Sequence, residues 1–175
     1  MFIKLGLNVP GGERTMKTLN LISNTLFKIE KVIATILMSV ILVSIVLGVV
    51  FRYFFNNPLT WTDELAIYML IWLTFVGGSM SVKNEQAASL DLVFEKVSVN
   101  IQRIFLIVGY AFVILFSTIV TYMAVKWISN PSVLTQISPG LKISMFLPYL
   151  SIPFGLFCLT IHALNHLVQS FTHKG

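Results

Sequence analysis

The chain is poor in charged residues and has a single cysteine. Only 11% of its 175 residues are Asp, Glu, Lys or Arg, whereas a soluble domain usually has about 25%. A lone cysteine, Cys158, excludes an internal disulfide. The basic residues form no patch interleaved with aromatic side chains, so the sequence does not favour nucleic acid as a partner. Apolar residues make up 56% of the chain, which indicates a protein of the membrane.

Four apolar stretches are long enough to cross a bilayer. A helix needs about 20 apolar residues to span roughly 30 Å of hydrocarbon with its backbone groups bonded internally. The stretches cover residues 32–51, 65–82, 104–127 and 145–168. No small-residue cleavage site follows the first stretch, which indicates a retained span and not a signal peptide. The sequence therefore predicts an all-α integral membrane protein with four transmembrane helices.

The parts outside the spans contain one or two amphipathic segments. In residues 1–31, Leu19, Ile22, Leu26 and Ile29 recur at helical spacing between polar residues, which predicts a helix lying on the membrane surface. A second interfacial helix is predicted around residues 90–97. Alternatively, each segment extends its neighbouring span. We predict a cytoplasmic segment at 1–31, a membrane domain at 32–168 and a cytoplasmic tail at 169–175.

The basic residues are distributed unevenly across the predicted membrane. Nine Lys and Arg residues lie on the side that holds both termini and the loop between spans two and three. Three lie on the other side, namely Arg52, Lys126 and Lys142. Because cytoplasmic loops are enriched in Lys and Arg, this distribution predicts that both termini are cytoplasmic.

Ionisable residues within the predicted spans are few. Charged groups persist inside a membrane mainly for function, and spans one to three have none between their ends. We therefore predict no catalytic, substrate-binding or metal site and no cofactor. His162 and His166 share one face of the last span, but haem across the bundle needs a ligand from a second helix. We expect both imidazoles near the cytoplasmic headgroups.

The densest polar segment covers residues 52–64. Thr60 and Asp63 match a capping box that opens span two, and the helix dipole favours Asp63 and Glu64 in the first turn. Capping alone can explain both acids. A sharper hypothesis pairs Arg52, at the end of span one, with one of them, and with Glu64 in particular.

Several further features predict how the helices pack. Pro148 and Pro153 remove helical hydrogen bonds and predict a kink in the last span. Trp61 and Trp72 are typical of membrane interfaces or of helix packing. Small residues four apart, such as Gly77 and Ser81, favour close approach of helices in lipid.

Taken in order, these residues resemble the small membrane subunit of tripartite ATP-independent periplasmic (TRAP) transporters, the DctQ-like family. The matching residues are Arg52, Phe54, Pro58, Trp61, Glu64, Tyr68, Trp72, Gly77, Gly78, Lys83, Asp91, Leu147, Pro148, Tyr149, Ile152, Pro153 and Gly155. The resemblance covers residues 30–168. The chain departs from the family at Ala87, where members often have histidine, so a role of that histidine does not transfer.

The resemblance implies a non-catalytic subunit of a sodium-coupled transporter in the bacterial inner membrane. Its partners would be a large multi-span subunit that moves as an elevator, lipids, and a periplasmic binding protein that delivers an organic acid such as a dicarboxylate or a sialic acid. The small subunit would enlarge the fixed scaffold. The candidate structural and partner-interface residues are Arg52, Trp61, Asp63, Glu64, Tyr68, Trp72, Gly77, Gly78, Pro148 and Pro153.

Two other functions are compatible with four spans. The chain could be a membrane anchor of a respiratory or other membrane enzyme, which would present a docking surface on one side. It could also be a self-sufficient small transporter, which the lack of charged residues inside spans one to three disfavours. The protein that co-purifies in mild detergent would distinguish these functions.

Overall fold

The computed structural model describes residues 12–84 and 99–172 and shows an all-α protein. The helices are α1 (Gly12–Phe54), α2 (Thr60–Asn84), α3 (Val99–Ile128), α4 (Pro131–Leu134), α5 (Phe146–Tyr149) and α6 (Ser151–Thr172). Four segments are long and apolar enough to cross a membrane, at Met16–Phe54, Thr60–Asn84, Ile101–Ile128 and Phe146–Ser170. The predicted fold class is therefore confirmed, and the predicted domain boundaries stay a prediction.

Helix α1 is one unbroken helix of 43 residues. The N-terminal segment from Gly12 continues into the first span, as in the alternative where it extends that span. Ser23, Glu30, Leu37 and Ser44 are buried at intervals of seven residues, about two helical turns, and so share one face. The second predicted interfacial helix, around residues 90–97, lies outside the described residues.

Helices α2 and α6 form the centre of the bundle. Helix α1 packs on α2 and on α6, while α3 packs on the other side of α6. Gly155 allows the close approach of α6 to α2, because a Cβ atom there would lie 2.6 Å from Phe75 Cβ and 2.8 Å from Phe75 O. The absence of a Cβ atom at Gly155 thus lets the two central helices lie this close together.

The helix of the last span is interrupted at Leu150, between the two prolines that predict a kink. Helix α5 ends at Tyr149 and α6 begins at Ser151. Ser151 Oγ donates a 2.7 Å hydrogen bond to the carbonyl oxygen of Pro148, which gives that carbonyl a partner at the interruption. Pro153 lies in the first turn of α6, where the missing N–H group costs no helical bond.

The bundle has two distinct ends. We call the end with residues 55–59 and 129–145 the loop end, and the end where Gly12, Asn84, Val99 and Thr172 lie the terminal end. The distribution of Lys and Arg predicts that the loop end faces the outside of the cell.

Cysteine labelling of intact cells tests this orientation. Asn57 at the loop end and Asn24 on α1 are both exposed. We expect Asn57→Cys to react with a membrane-impermeant thiol reagent, and Asn24→Cys to react only after the cells are permeabilised. The native Cys158 is 1% exposed, so it should add little background. Labelling of Asn24→Cys in intact cells, with Asn57→Cys protected, would reverse the predicted orientation.

Candidate functional site at the loop end

Glu64 joins the start of α2 to the loop that precedes the last span. Its Oε2 atom accepts hydrogen bonds from the backbone N–H groups of Gly140, at 2.8 Å, and Leu141, at 2.7 Å. Its Oε1 atom accepts a hydrogen bond from the Tyr68 hydroxyl, one turn further along α2. We call these four residues the Glu64 clasp. It connects parts of the chain that are 76 residues apart.

The local shape of the loop presents its amides to Glu64. Met145 N–H donates to Gln136 O at 3.0 Å, and Ser138 N–H donates to Ile143 O at 2.8 Å, which closes the loop. Lys142 adopts a left-handed conformation with φ of 58°. A Cβ atom on Gly140 would collide with Glu64 Oε2 and lie 3.3 Å from Thr60 O. A side chain at this position would therefore push the Glu64 carboxylate away from its present place.

The salt bridge at this end joins Arg52 to Asp63. Arg52 Nη2 lies 3.0 Å from Asp63 Oδ2, and the two side chains are 54% and 61% exposed. The expectation that Glu64 is the partner of Arg52 is therefore wrong, although a pair with one of the two acids is present. Neighbouring residues on a helix point about 100° apart, so Asp63 faces α1 while Glu64 faces the loop. Exposed pairs of this kind contribute about 0 to 1 kcal/mol.

Tyr68 and Trp72 continue the contacts along α2 towards the last span. Tyr68 is buried, and its hydroxyl also lies 3.1 Å from Met145 Sδ. Trp72 Nε1 donates to the carbonyl oxygen of Leu147 at 3.2 Å, and its ring lies 5.7 Å from the ring of Phe154. Both predicted residues thus position the interrupted start of the last span against α2.

The other predicted interface residues have fewer contacts inside the chain. A Cβ atom on Gly77 or Gly78 would meet no atom of the described residues within 4 Å. Trp61 is 36% exposed. Pro148 is buried at the interruption of the last span, and Pro153 opens α6. Roles of these residues in binding a partner stay predictions.

A second polar cluster lies in the half of the bundle towards the terminal end. His162 Nε2 lies 3.0 Å from Glu30 Oε2, and His162 Nδ1 lies 2.7 Å from Ser23 Oγ. His162 and His166 are 0% and 1% exposed, so neither imidazole reaches water or lipid as a side chain at the headgroups would, and their depth in the membrane stays a prediction. His166 instead stacks on Tyr110, with ring centroids 5.4 Å apart.

Glu30 was not among the predicted site residues, because the first apolar stretch of the sequence begins after it, at residue 32. The structure places Glu30, 1% exposed, inside the helical segment Met16–Phe54. The spacing of seven residues between Ser23, Glu30 and Leu37 was the signal that could have found it. The sequence argued against transport by the chain alone because spans one to three contain no charged residue between their ends. The buried Glu30 removes that argument.

The fold and these contacts define a small multi-pass membrane protein whose polar side chains fasten helices and loop to one another. Residues 41–173 match the family described as "Tripartite ATP-independent periplasmic transporters, DctQ component". Because the match covers most of the chain, the chain belongs to this family, which confirms the resemblance seen in the residues. The clasp and both buried histidines lie inside the matched range, whereas Ser23 and Glu30 precede it.

Three relatives show how far the similarity extends. The "C4-dicarboxylate TRAP transporter small permease protein DctQ" of Vibrio cholerae is 23% identical over 149 residues, which are 73% of this chain and 64% of that protein. Its counterpart in Rhodobacter capsulatus is 26% identical over 97 residues, 55% of this chain and 43% of that protein. The "Isethionate TRAP transporter permease protein DctMQ" of Oleidesulfovibrio alaskensis is 27% identical over 108 residues, 61% of this chain and 17% of that protein. The chain thus spans less than two thirds of each relative.

Proposed function

We propose that this chain is the non-catalytic small membrane subunit of a sodium-coupled TRAP transporter and serves as its fixed scaffold. Its partner would be a large elevator-type subunit that takes up an organic acid, of the dicarboxylate or sialic acid class, delivered by a periplasmic binding protein. The observation that supports a fixed scaffold is the Glu64 clasp. It fastens α2 to the loop before the last span with three hydrogen bonds to one carboxylate.

A fixed scaffold has to keep its shape while its partner moves. In lipid, tight packing and hydrogen bonds between segments hold helices together, since the solvent itself is apolar. The clasp supplies such bonds at the loop end, and the close approach at Gly155 supplies the packing between α2 and α6. The clasp links α2 to the loop before the last span, and the close approach at Gly155 links α2 to α6, so α2 is held at two levels.

The outer faces of the bundle suit lipid or a large membrane partner. Long apolar side chains on α1 and α3 are exposed, including Leu42, Val46, Phe105, Phe112 and Phe116. The relative named DctMQ, of which the matched region is 17%, supports association with a larger permease. The organic acid class is supported by relatives named for C4-dicarboxylate and isethionate.

Transport by reconstituted liposomes tests the proposal. We expect that the chain alone shows no sodium-driven uptake of labelled dicarboxylate or sialic acid. Uptake should begin when the large subunit that co-purifies in mild detergent and the binding protein are added. Liposomes with those two components but without this chain are the control, and they should show little uptake.

Two outcomes would contradict the proposed function. Sodium-driven uptake by the lone chain would support the self-sufficient transporter, for which the buried Glu30 would be the residue to replace first. Co-purification of a soluble redox enzyme, with no large membrane subunit, would support the membrane anchor.

A further inference from the structure

One side of α1 carries a row of polar side chains that faces away from the bundle. The exposed residues in this row are Lys17, Asn24, Lys28, Lys31 and Thr35. At about 100° per residue, these positions lie within about 60° of one another around the helix axis. The buried positions of α1, such as Glu30, lie at least about 100° away from the row. The row is therefore presented to the surroundings of the bundle.

The lysines of this row have no acidic side chain against them. No salt bridge of the described residues includes Lys28 or Lys31. Glu30 is the acid nearest to both in the sequence, but it is 1% exposed and lies 3.0 Å from His162 on the inner side of α1. The outer side of α1 therefore carries positive charge that the described part of the chain does not compensate.

The positions of Lys28 and Lys31 along α1 match one surface of a bilayer. With a rise of about 1.5 Å per residue, Lys31 lies about 32 Å from Arg52 along the helix, and Lys28 lies about 36 Å from it. The hydrocarbon core of a bilayer is about 30 Å thick. With Arg52 at one edge of the core, both lysines therefore reach the headgroups of the opposite leaflet, at the terminal end.

Apolar side chains next to the lysines face the same surroundings. Ile29, Val32 and Ile36 are all exposed. A phospholipid combines a phosphate headgroup with apolar acyl chains, so lysines beside an exposed apolar surface match both of its parts. The long stem of lysine can lie along such a surface while its ammonium group stays at the headgroups.

We propose that Lys28 and Lys31 bind the headgroup of an anionic phospholipid in the leaflet at the terminal end. Residues three apart are neighbours on a helix surface, so both ammonium groups can contact one headgroup. A lipid without net charge, such as phosphatidylcholine, has its own ammonium group beside the phosphate and gains less from the two lysines. This site goes beyond the proposed scaffold function, which requires no particular lipid.

Native mass spectrometry of the purified full chain tests the proposal. The chain in mild detergent is mixed with equal amounts of phosphatidylglycerol and phosphatidylcholine, and the ratio of the two bound lipids is measured. We expect the wild type to prefer phosphatidylglycerol by about tenfold or more, because each lysine near an anionic headgroup contributes about fivefold in affinity. The Lys28→Gln, Lys31→Gln double variant should lose most of this preference.

Lys17→Gln is the matched control for the double variant. It removes a positive charge from the same side of α1, but about 16 Å beyond Lys28, outside the headgroup layer. This control should keep the wild-type preference, as should Lys28→Arg, Lys31→Arg, which preserves both charges. All three lysines are exposed, so the variants should have the melting temperature of the wild type when no lipid is added.

Three results would overturn the proposal. One is a wild type that binds both lipids equally. Another is a Lys17→Gln variant that loses as much preference as the double variant, which would indicate attraction by the overall charge of the chain. The third is a double variant that keeps its preference but no longer co-purifies with a large membrane subunit, which would show that this side of α1 binds protein. Lipid binding is measured on the lone chain, so its outcome does not depend on the proposed function.

Discussion

Replacing Glu64 with alanine should lower the melting temperature of the chain by about 5 °C or more, a larger effect than any change at the neighbouring Asp63. The substitution removes the acceptor of three hydrogen bonds, and it leaves the amides of Gly140 and Leu141 without their protein partner. Hydrogen bonds to charged groups are stronger than those between neutral groups. Loss of the clasp should also free the loop before the last span, so assembly with a large subunit should weaken. Thermal unfolding in detergent measures the first effect, and co-purification measures the second.

Asp63→Asn is the matched control for Glu64, because the two acids are neighbours in the same turn. Asp63 and Arg52 form an exposed pair, so this control should cost about 0 to 1 kcal/mol. Glu64→Gln keeps one acceptor oxygen and should fall between the wild type and Glu64→Ala. Two results would show that the clasp does not hold the loop end. One is a Glu64→Ala variant with the melting temperature of the wild type, and the other is an Asp63→Asn variant that lowers the melting temperature more than Glu64→Ala does.

Replacing Gly155 with alanine should destabilise the chain by about 1 to 3 kcal/mol, the usual cost of overpacking. The new Cβ atom would lie 2.6 Å from Phe75 Cβ and 2.8 Å from the backbone carbon and oxygen of Phe75. Because the contact includes backbone atoms, a change of side-chain rotamer cannot relieve it. The two central helices would have to separate. Thermal or denaturant unfolding of the purified chain measures the cost.

Gly109→Ala on α3 is the control for Gly155, since a Cβ atom there meets nothing within 4 Å of the described residues. Alanine is favoured over glycine inside a helix by about 0.5 to 1 kcal/mol. Gly109→Ala should therefore leave stability unchanged or raise it, while Gly155→Ala lowers it. Equal effects of the two substitutions would show that the approach of α2 and α6 tolerates an added methyl group.

The sequence indicated residues 52–64 as the densest polar segment but predicted the wrong partner for Glu64. Capping and the helix dipole favour an acid in the first turn of α2, and both arguments apply equally to Asp63 and Glu64. Which acid faces α1 depends on the rotation of α2 in the bundle. What the other acid binds depends on a loop that returns 76 residues later. The residues near the start of α2 indicate neither the rotation of this helix in the bundle nor the distant loop that Glu64 binds.

Local properties of the chain were enough to predict the four apolar spans and an irregular helix in the last one. The length of an apolar stretch determines whether it can cross the hydrocarbon, and proline disrupts a helix wherever it lies in its interior. The burial of Glu30 was decided only in the folded bundle. A charged side chain ordinarily marks the end of a span, because leaving it unpaired in lipid costs several kcal/mol. His162, 132 residues away in the chain, pairs with Glu30 and so avoids this cost. Only the packing of α1 against α6 therefore reveals that Glu30 lies inside the bundle.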